Sequence, residues 1–275
     1  MTALFDFQTG DAPLLVNVPH AGTELPDDIA AQLTEPARAL PDTDWFVDKL
    51  YGFATGLGAS LQVARYSRYV VDLNRPPDDA VLYPGQHQSG LFPTQTFAGE
   101  DIYLPGAAPD ARERRRRVEQ YWRPFHDHLR ERLETIRARH GFAVLWDAHS
   151  IRAEVPGLFA GRLPDLNLGT NGAASCNGDL RQRLAGICSA ARGFTSVLDG
   201  RFKGGYITRA YGQPDSDIHA IQLELAQAAY MDETLPAVFD PGRASALRAV
   251  LELLLEAVLH WCGRRGSPAL RGTAG

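Results

Sequence analysis

Two histidines stand where buried strands should end. His20 follows the proline-bounded apolar run 13–19, PLLVNVP, and His149 follows the run 142–146, FAVLW, in DAHS. Imidazoles delivered by two separate strands to one sheet edge, joined by a carboxylate, form the donor set of a hydrolytic zinc site with an open position. Such a metal lowers the pKa of a water enough for attack on an amide near neutral pH. The carboxylate must come close to His20 in space, and Glu24, Asp44 and Asp48 are the candidates. Asp44 is favoured: it opens a predicted helix directly after a loop, which aims it at a sheet edge. A further carboxylate, Glu224, sits near the end of the partly alternating segment 218–225, IHAIQLEL.

The elements that must position these groups alternate between strand and helix. Ligands of open α/β sheets bind at the carboxyl ends of strands, which is where both histidines fall. Residues 27–39 and 43–57 read as helices, the second with Asp42-Thr43-Asp44 as its N-cap cluster. Residues 61–73 hold two strand-like pieces, LQVARY and RYVVDL, around Ser67. From 74 to 106 the chain is punctuated by proline and glycine and lacks periodicity, as expected of a functional loop over the site. The clearest helix spans 109–140, with Val118, Tyr121, Trp122, Phe125, Leu129, Leu133 and Ile136 at helical spacing. Its arginines, Arg112 and Arg114 to Arg117, are interrupted by Glu113 and Glu119 and read as a solvated face. Residues 164–176 read as a polar loop, 180–191 as a helix, 200–212 as a glycine-rich basic loop, and 241–262 as a leucine-rich amphipathic helix. Residues from 263 onward read as a frayed tail. Neither a repeat nor a linker divides the chain, so one α/β domain over 1–262 is expected.

Composition narrows the class. The 275 residues are 44% hydrophobic with net charge −5. That is enough apolar material for a sizeable core, and the acidic balance argues against a general nucleic-acid binder. Of 28 basic residues only Lys49 and Lys203 are lysine. Arginine grips carboxylates better than lysine does. Three cysteines, Cys176, Cys188 and Cys262, lack paired spacing. With no signal-peptide pattern and no apolar run of about 18 residues, they suggest reduced thiols in a cytoplasmic protein.

The strings VPHAG, TDW, SRYVVDLNRP, DAHS, GRLPDLNLGTN, GRFKGGYITRAYG and IQLELAQAAYMDE, in this order from about residue 14 to 233, resemble the N-formylglutamate amidohydrolase family. That family is similar to the zinc carboxypeptidase and aspartoacylase group, which sets an Asn-Arg pair beside its zinc to hold a substrate carboxylate. The resemblance implies a zinc-carboxypeptidase-like domain with a central mixed, largely parallel sheet flanked by helices. It implies one divalent metal, Zn2+, held by His20 and His149. It also implies Asn74-Arg75 on a carboxylate, Arg68 on the oxyanion, and Glu224 as general base. A structural pairing of Arg68 with Asp72 is the alternative for that arginine. The wider group places a ligand glutamate three residues after the first histidine, where this chain has Thr23. Asp44 is therefore the expected third ligand, with Glu24 and Asp48 as alternatives.

The implied reaction is hydrolysis of N-formyl-L-glutamate to formate and L-glutamate, the last step of one histidine-degradation route. Such a dianion needs two grips. Asn74 and Arg75 are expected on one carboxylate, the α-carboxylate by analogy with the wider group. Lys203, Tyr206 and Arg209 are expected on the other, with Gly204 and Gly205 letting the backbone approach a small ligand. Arg201 and Arg152 are further anion-binding candidates. Asp147 reads as a group that orients an imidazole, His219 as a packing residue, and His87 as a weaker candidate for contact with substrate. A related hydrolase of N-succinylglutamate or N-acyl-aspartate, or a non-catalytic anion-binding protein of the same fold, is the rival reading. The partner is a small dicarboxylate, with no nucleic acid and no membrane, and the sequence leaves the oligomeric state open.

Overall fold

The computed structural model describes residues 3–82 and 88–266. Seven strands form a sheet: β1 (Phe5–Gln8), β2 (Leu14–Val18), β3 (Ser60–Ala64), β4 (Ala143–Ile151), β5 (Leu166–Gly169), β6 (Ser196–Leu198) and β7 (Ile218–Ala226). Their order is β1-β3-β2-β4-β7-β5-β6. The block β3-β2-β4-β7 is parallel, as is β5 with β6, while β1 on β3 and β5 on β7 are antiparallel. The sheet is therefore mixed and largely parallel, as expected. A two-stranded hairpin, β8 (Met231–Asp232) and β9 (Val238–Phe239), lies outside it.

Side-chain alternation explains how the sheet is covered. On β4, Val144, Trp146 and Ala148 face one apolar cluster, and Ala143 and Leu145 face another. The first cluster is closed by α3 (Val47–Tyr51), α6 (Gly178–Ala190) and α8 (Pro241–Gly266). In α8, Leu247, Leu251, Leu254, Leu255 and Val258 are all fully buried, and their spacing gives one apolar stripe. The second cluster is closed mainly by α5 (Arg123–His140) and the short α7 (Tyr206–Tyr211). Each fully buried leucine of such clusters contributes roughly 1.5–3 kcal/mol. Among the described residues no helix is long and apolar enough to cross a membrane.

Several local expectations are corrected. The helix expected over 27–39 is two single turns, α1 (Asp27–Ala30) and α2 (Glu35–Arg38), with Leu40 beyond them at φ 53°. The helix expected over 43–57 begins only at Val47, after Phe46 at φ 62°. The acidic residues that resemble an N-cap are engaged elsewhere, as described below. RYVVDL is a turn rather than a strand. The carbonyls of Tyr69 and Val70 face the Arg117 guanidinium (3.5 and 3.4 Å) instead of a neighbouring strand. Arg117 is fully buried, which also corrects the reading of its cluster as wholly solvated.

The long helix forms, but as α4 (Ala111–Arg117) and α5 joined by a π turn over Val118–Trp122. Pro124 has no N–H for a regular i→i−4 bond, and the wider turn accommodates it. The expected polar loop 164–176 contains β5, and the basic loop 200–212 contains α7. Among the described residues, the long segment after Asn74 is irregular, as read.

Candidate active site

The strand register assembles the site. β4 continues through His149 to Ile151, so this histidine lies within the strand rather than after it. Pairing with β7 sets His149 opposite Glu224 and Asp147 opposite Gln222. On that face both strands change from apolar residues (143 and 145; 218 and 220) to polar ones toward their carboxyl ends. His20 follows β2 directly, and its carbonyl accepts the Asp44 N–H at 3.1 Å, folding that loop back onto it.

His20, Asp44 and His149 are buried, and one potential ligand atom from each lies within 4.8 Å of the others. Asp44 Oδ2 lies 3.1 Å from His149 Nδ1 and 3.7 Å from His20 Nδ1, and it accepts the Ser150 N–H at 3.1 Å. The opposite ring nitrogens meet other carboxylates. His20 Nε2 is 2.8 Å from Asp72 Oδ1, and His149 Nε2 is 3.1 Å from Asp147 Oδ2. Carboxylates there hold a proton on Nε2 and present Nδ1 as the donor, as in metal sites with buffered imidazoles. Asp147 is itself fixed by Asn17 Nδ2 at 3.0 Å, and Asp72 by the Asn74 N–H at 2.9 Å. Two oriented imidazoles and one carboxylate suit a divalent metal of the zinc class. Glu24 instead receives the Arg65 guanidinium at 2.8 and 2.5 Å, and Asp48 is exposed on α3.

The electrostatics follow from burial and pairing. Burial opposes charge on Asp44 and Asp72, yet the imidazoles, with Arg68 and Arg75 for Asp72, hold both carboxyls below their usual range. Burial likewise opposes charge on His149, and Asp147 and Asp44 overcome it, so its pKa is raised. For Glu224 burial outweighs the attraction of His149 and Arg68, neither of which hydrogen-bonds it. Its side chain accepts one long bond from Gln222 Nε2 (3.4 Å), and burial pushes its carboxyl up to about 8.

Arg68 reaches the centre of this group. One terminal nitrogen donates to Asp72 Oδ2 at 3.1 Å and lies 3.1 Å from His20 Nδ1, while the other donates to the Asp42 carbonyl at 3.1 Å. The pairing with Asp72, expected as the alternative for this arginine, is present, and it aims the guanidinium at His20 and Asp44. Asn74 lies with Nδ2 3.1 Å from His149 Nε2, and its Oδ1 accepts the Ile207 N–H at 2.8 Å. Gly205 is required for this packing, because a Cβ there would fall 2.3 Å from the Asn74 amide. Gly205 therefore admits Asn74 as well as lining the cleft, whereas a Cβ at Gly204 would meet Thr208. Arg75 is held by the carbonyl and hydroxyl of Ser89 (2.7 and 3.0 Å) and the Asn74 carbonyl (2.8 Å).

His20, Asp44, His149, Glu224, Arg68, Asn74 and Arg75 line one cleft open to solvent, together with Arg201, Gln222, Phe97, Phe202 and Leu158. Lys203, Tyr206 and Arg209 do not line it. Lys203 is exposed, Tyr206 packs toward Trp122 and His126, and Arg209 Nε donates to the Gly204 carbonyl at 2.9 Å. Arg152 is also absent from the lining, whereas Arg201 belongs to it. His219 packs on Trp261, and His87 lies outside the described residues. Sequence reasoning missed Gln222, although its place two residues before Glu224 puts both on one strand face. It also missed Ser89 and Phe97, for which an irregular loop offers no periodic signal.

A family model described as N-formylglutamate amidohydrolase matches residues 12–231. This chain belongs to the N-formylglutamate amidohydrolase family. An N-formylglutamate deformylase from Pseudomonas putida is 51% identical over 265 residues, covering 96% of this chain and 99% of that protein. Another, from Pseudomonas aeruginosa, is 52% identical over 261 residues, covering 95% and 98%. Among solved structures, an N-formylglutamate amidohydrolase from Ralstonia eutropha JMP134 shares the fold, with a TM-score of 0.82 at 24% identity over 97% of this chain and 100% of that one. As a member of the N-formylglutamate amidohydrolase family, the chain is an amide hydrolase.

Proposed function

We propose that the chain hydrolyses N-formyl-L-glutamate to formate and L-glutamate with one divalent metal ion, zinc, and that this is the last step of a histidine-degradation route in the cytoplasm. The observation that carries the reading is a single cleft joining a His20, Asp44 and His149 donor set to a buried carboxyl and three arginines, Arg68, Arg75 and Arg201. Family membership and the names of the Pseudomonas relatives support the same substrate. Three free, buried thiols accord with a reducing compartment.

When bound by His20, Asp44 and His149, zinc would supply Lewis acidity at the formyl oxygen and acidify a water. Glu224 takes the proton of the attacking water as the C–O bond forms. It returns that proton to the amine nitrogen as the C–N bond breaks, which leaves formate and a free amino group. Arg68 donates N–H to the formyl oxygen as that atom becomes negative. Arg75 has five N–H donors, and the Ser89 and Asn74 oxygens take three, so two are left for the α-carboxylate. Asn74 sits beside it. Arg201 takes the role first assigned to Lys203, Tyr206 and Arg209, the grip on the side-chain carboxylate.

Formate release by metal-reconstituted protein tests this reading. N-formyl-L-glutamate is compared with N-formyl-L-glutamine, in which the second carboxylate is neutral. The expected result is a much lower KM for the glutamate. Equal KM values would remove the second grip, and no formate from either substrate would remove the function.

A further inference from the structure

The cleft contains two arginine–phenylalanine pairs with different surroundings. The Arg201 guanidinium lies 5.3 Å from the Phe202 ring, and the Arg68 guanidinium lies 5.0 Å from the Phe97 ring. Only the second pair touches the metal-ligand group, since Arg68 is 3.1 Å from His20 Nδ1. A carbonyl whose oxygen meets Arg68 therefore carries its acyl substituent next to whatever covers that guanidinium. Phe97 is that cover.

The position of Phe97 is enforced. Its N–H donates to both carboxylate oxygens of Asp42, at 3.1 and 3.0 Å, and Tyr69 Oη donates to the same carboxylate at 2.8 Å. The Asp42 carbonyl in turn accepts from Arg68. Asp42 is buried, so one residue holds the arginine with its backbone and the phenylalanine with its side chain. The clamp reaches from the loop before Asp44 to the long irregular segment after Asn74. It explains why Asp42 does not cap a helix.

We propose that Phe97 is the wall that sets acyl-group selectivity, admitting a formyl hydrogen and excluding larger acyl substituents, and that Asp42 is the positioning residue that keeps it there. The inference rests on the deformylase reading above. A hydrophobic wall that discriminates one added carbon is typically worth about 10- to 200-fold in kcat/KM.

The test measures release of L-glutamate from N-formyl- and N-acetyl-L-glutamate by the full-length, metal-reconstituted protein. Phe97→Ala is expected to lower the formyl-to-acetyl ratio of kcat/KM by ~10-fold or more. Asp42→Ala should lower it in the same direction. Asp42→Asn keeps an acceptor for the Phe97 N–H and should restore the wild-type ratio, which loss of general stability would not do. Phe97→Leu, a milder change, should give an intermediate ratio and covers the case in which Phe97→Ala does not fold. A wild-type ratio in folded, active Phe97 variants would overturn the inference and leave the deformylase reading intact. No cleavage of N-formyl-L-glutamate by the wild type would overturn both.

Discussion

Replacing Glu224 by glutamine should separate catalysis from stability. The substitution is isosteric, and the carboxyl being replaced is buried with a single 3.4 Å contact to Gln222 Nε2, so little structural bonding is lost. Removing a general base typically costs 10²- to 10⁴-fold, and the loss should fall on kcat with KM little changed. Stability should move the other way. The unfolded chain releases this proton near 4.5 and the metal-free fold retains it to about 8. Over that interval the unfolded state binds fewer protons, so the wild type loses stability as pH rises, and the contribution present below 4.5 is gone above about 8. Glu224→Gln removes this penalty, of order a few kcal/mol at pH 8. Each kcal/mol is worth roughly 2–4 °C of Tm in a chain of this size. Steady-state formate release and thermal melts of metal-free protein at pH 5 and pH 8 provide the two readouts. Activity within about tenfold of wild type would exclude Glu224 as the proton carrier. A lower Tm at pH 8 would show that its charge is a structural anchor.

Arg68→Ala should lower kcat by roughly 10² and raise KM less, as expected for a donor aimed at developing charge; an unchanged kcat in initial-rate measurements would end that role. Asp44→Ala should abolish stoichiometric metal uptake measured by elemental analysis, and chelation of the wild type should lower its Tm, since a ligand bound only by the folded state stabilises it. A Glu24→Ala variant, by contrast, should keep its metal. His126 bonds Leu73 O (2.8 Å) and Tyr211 Oη (2.9 Å), and burial lowers its pKa to about 3. Its neutral form stabilises the fold above 6.5, and that contribution is lost as pH falls toward 3. The unfolding free energy from urea titrations should accordingly decline by up to about 1.4 kcal/mol per pH unit for this one proton, and His126→Gln should flatten the decline.

Much of this architecture is written locally. The runs 13–19, 142–146 and 218–225 were legible as strands from their apolar content, although β4 continues past Trp146 through polar residues to Ile151. The helix over 109–140 was legible from its spacing, although Pro124 marks the π turn that the periodicity hides. The short strands β1 and β6 carry too few residues for a pattern. RYVVDL has the composition of a strand and becomes a turn because Arg117, far along the chain, takes its carbonyls. Asp42 and Asp44 illustrate the same ambiguity, since an acidic pair before an apolar run looks like a cap until a tertiary partner claims it.

By itself, then, the sequence determined the α/β class, the two histidines at the carboxyl ends of apolar runs, and the Asn74-Arg75 and Glu224 positions carried by family strings. The tertiary structure sets Asp44 rather than Glu24 or Asp48 beside the two histidines, brings Arg201 rather than Lys203, Tyr206 and Arg209 to the cleft, and adds Gln222, Ser89 and Phe97. The division has a physical cause. Strand and helix periodicity are short-range properties of the chain, whereas a ligand set is a coincidence of side chains from segments far apart in sequence. The register of β4 on β7 and the return of the Asp44 loop onto His20 create that coincidence, and neither leaves a mark in local composition.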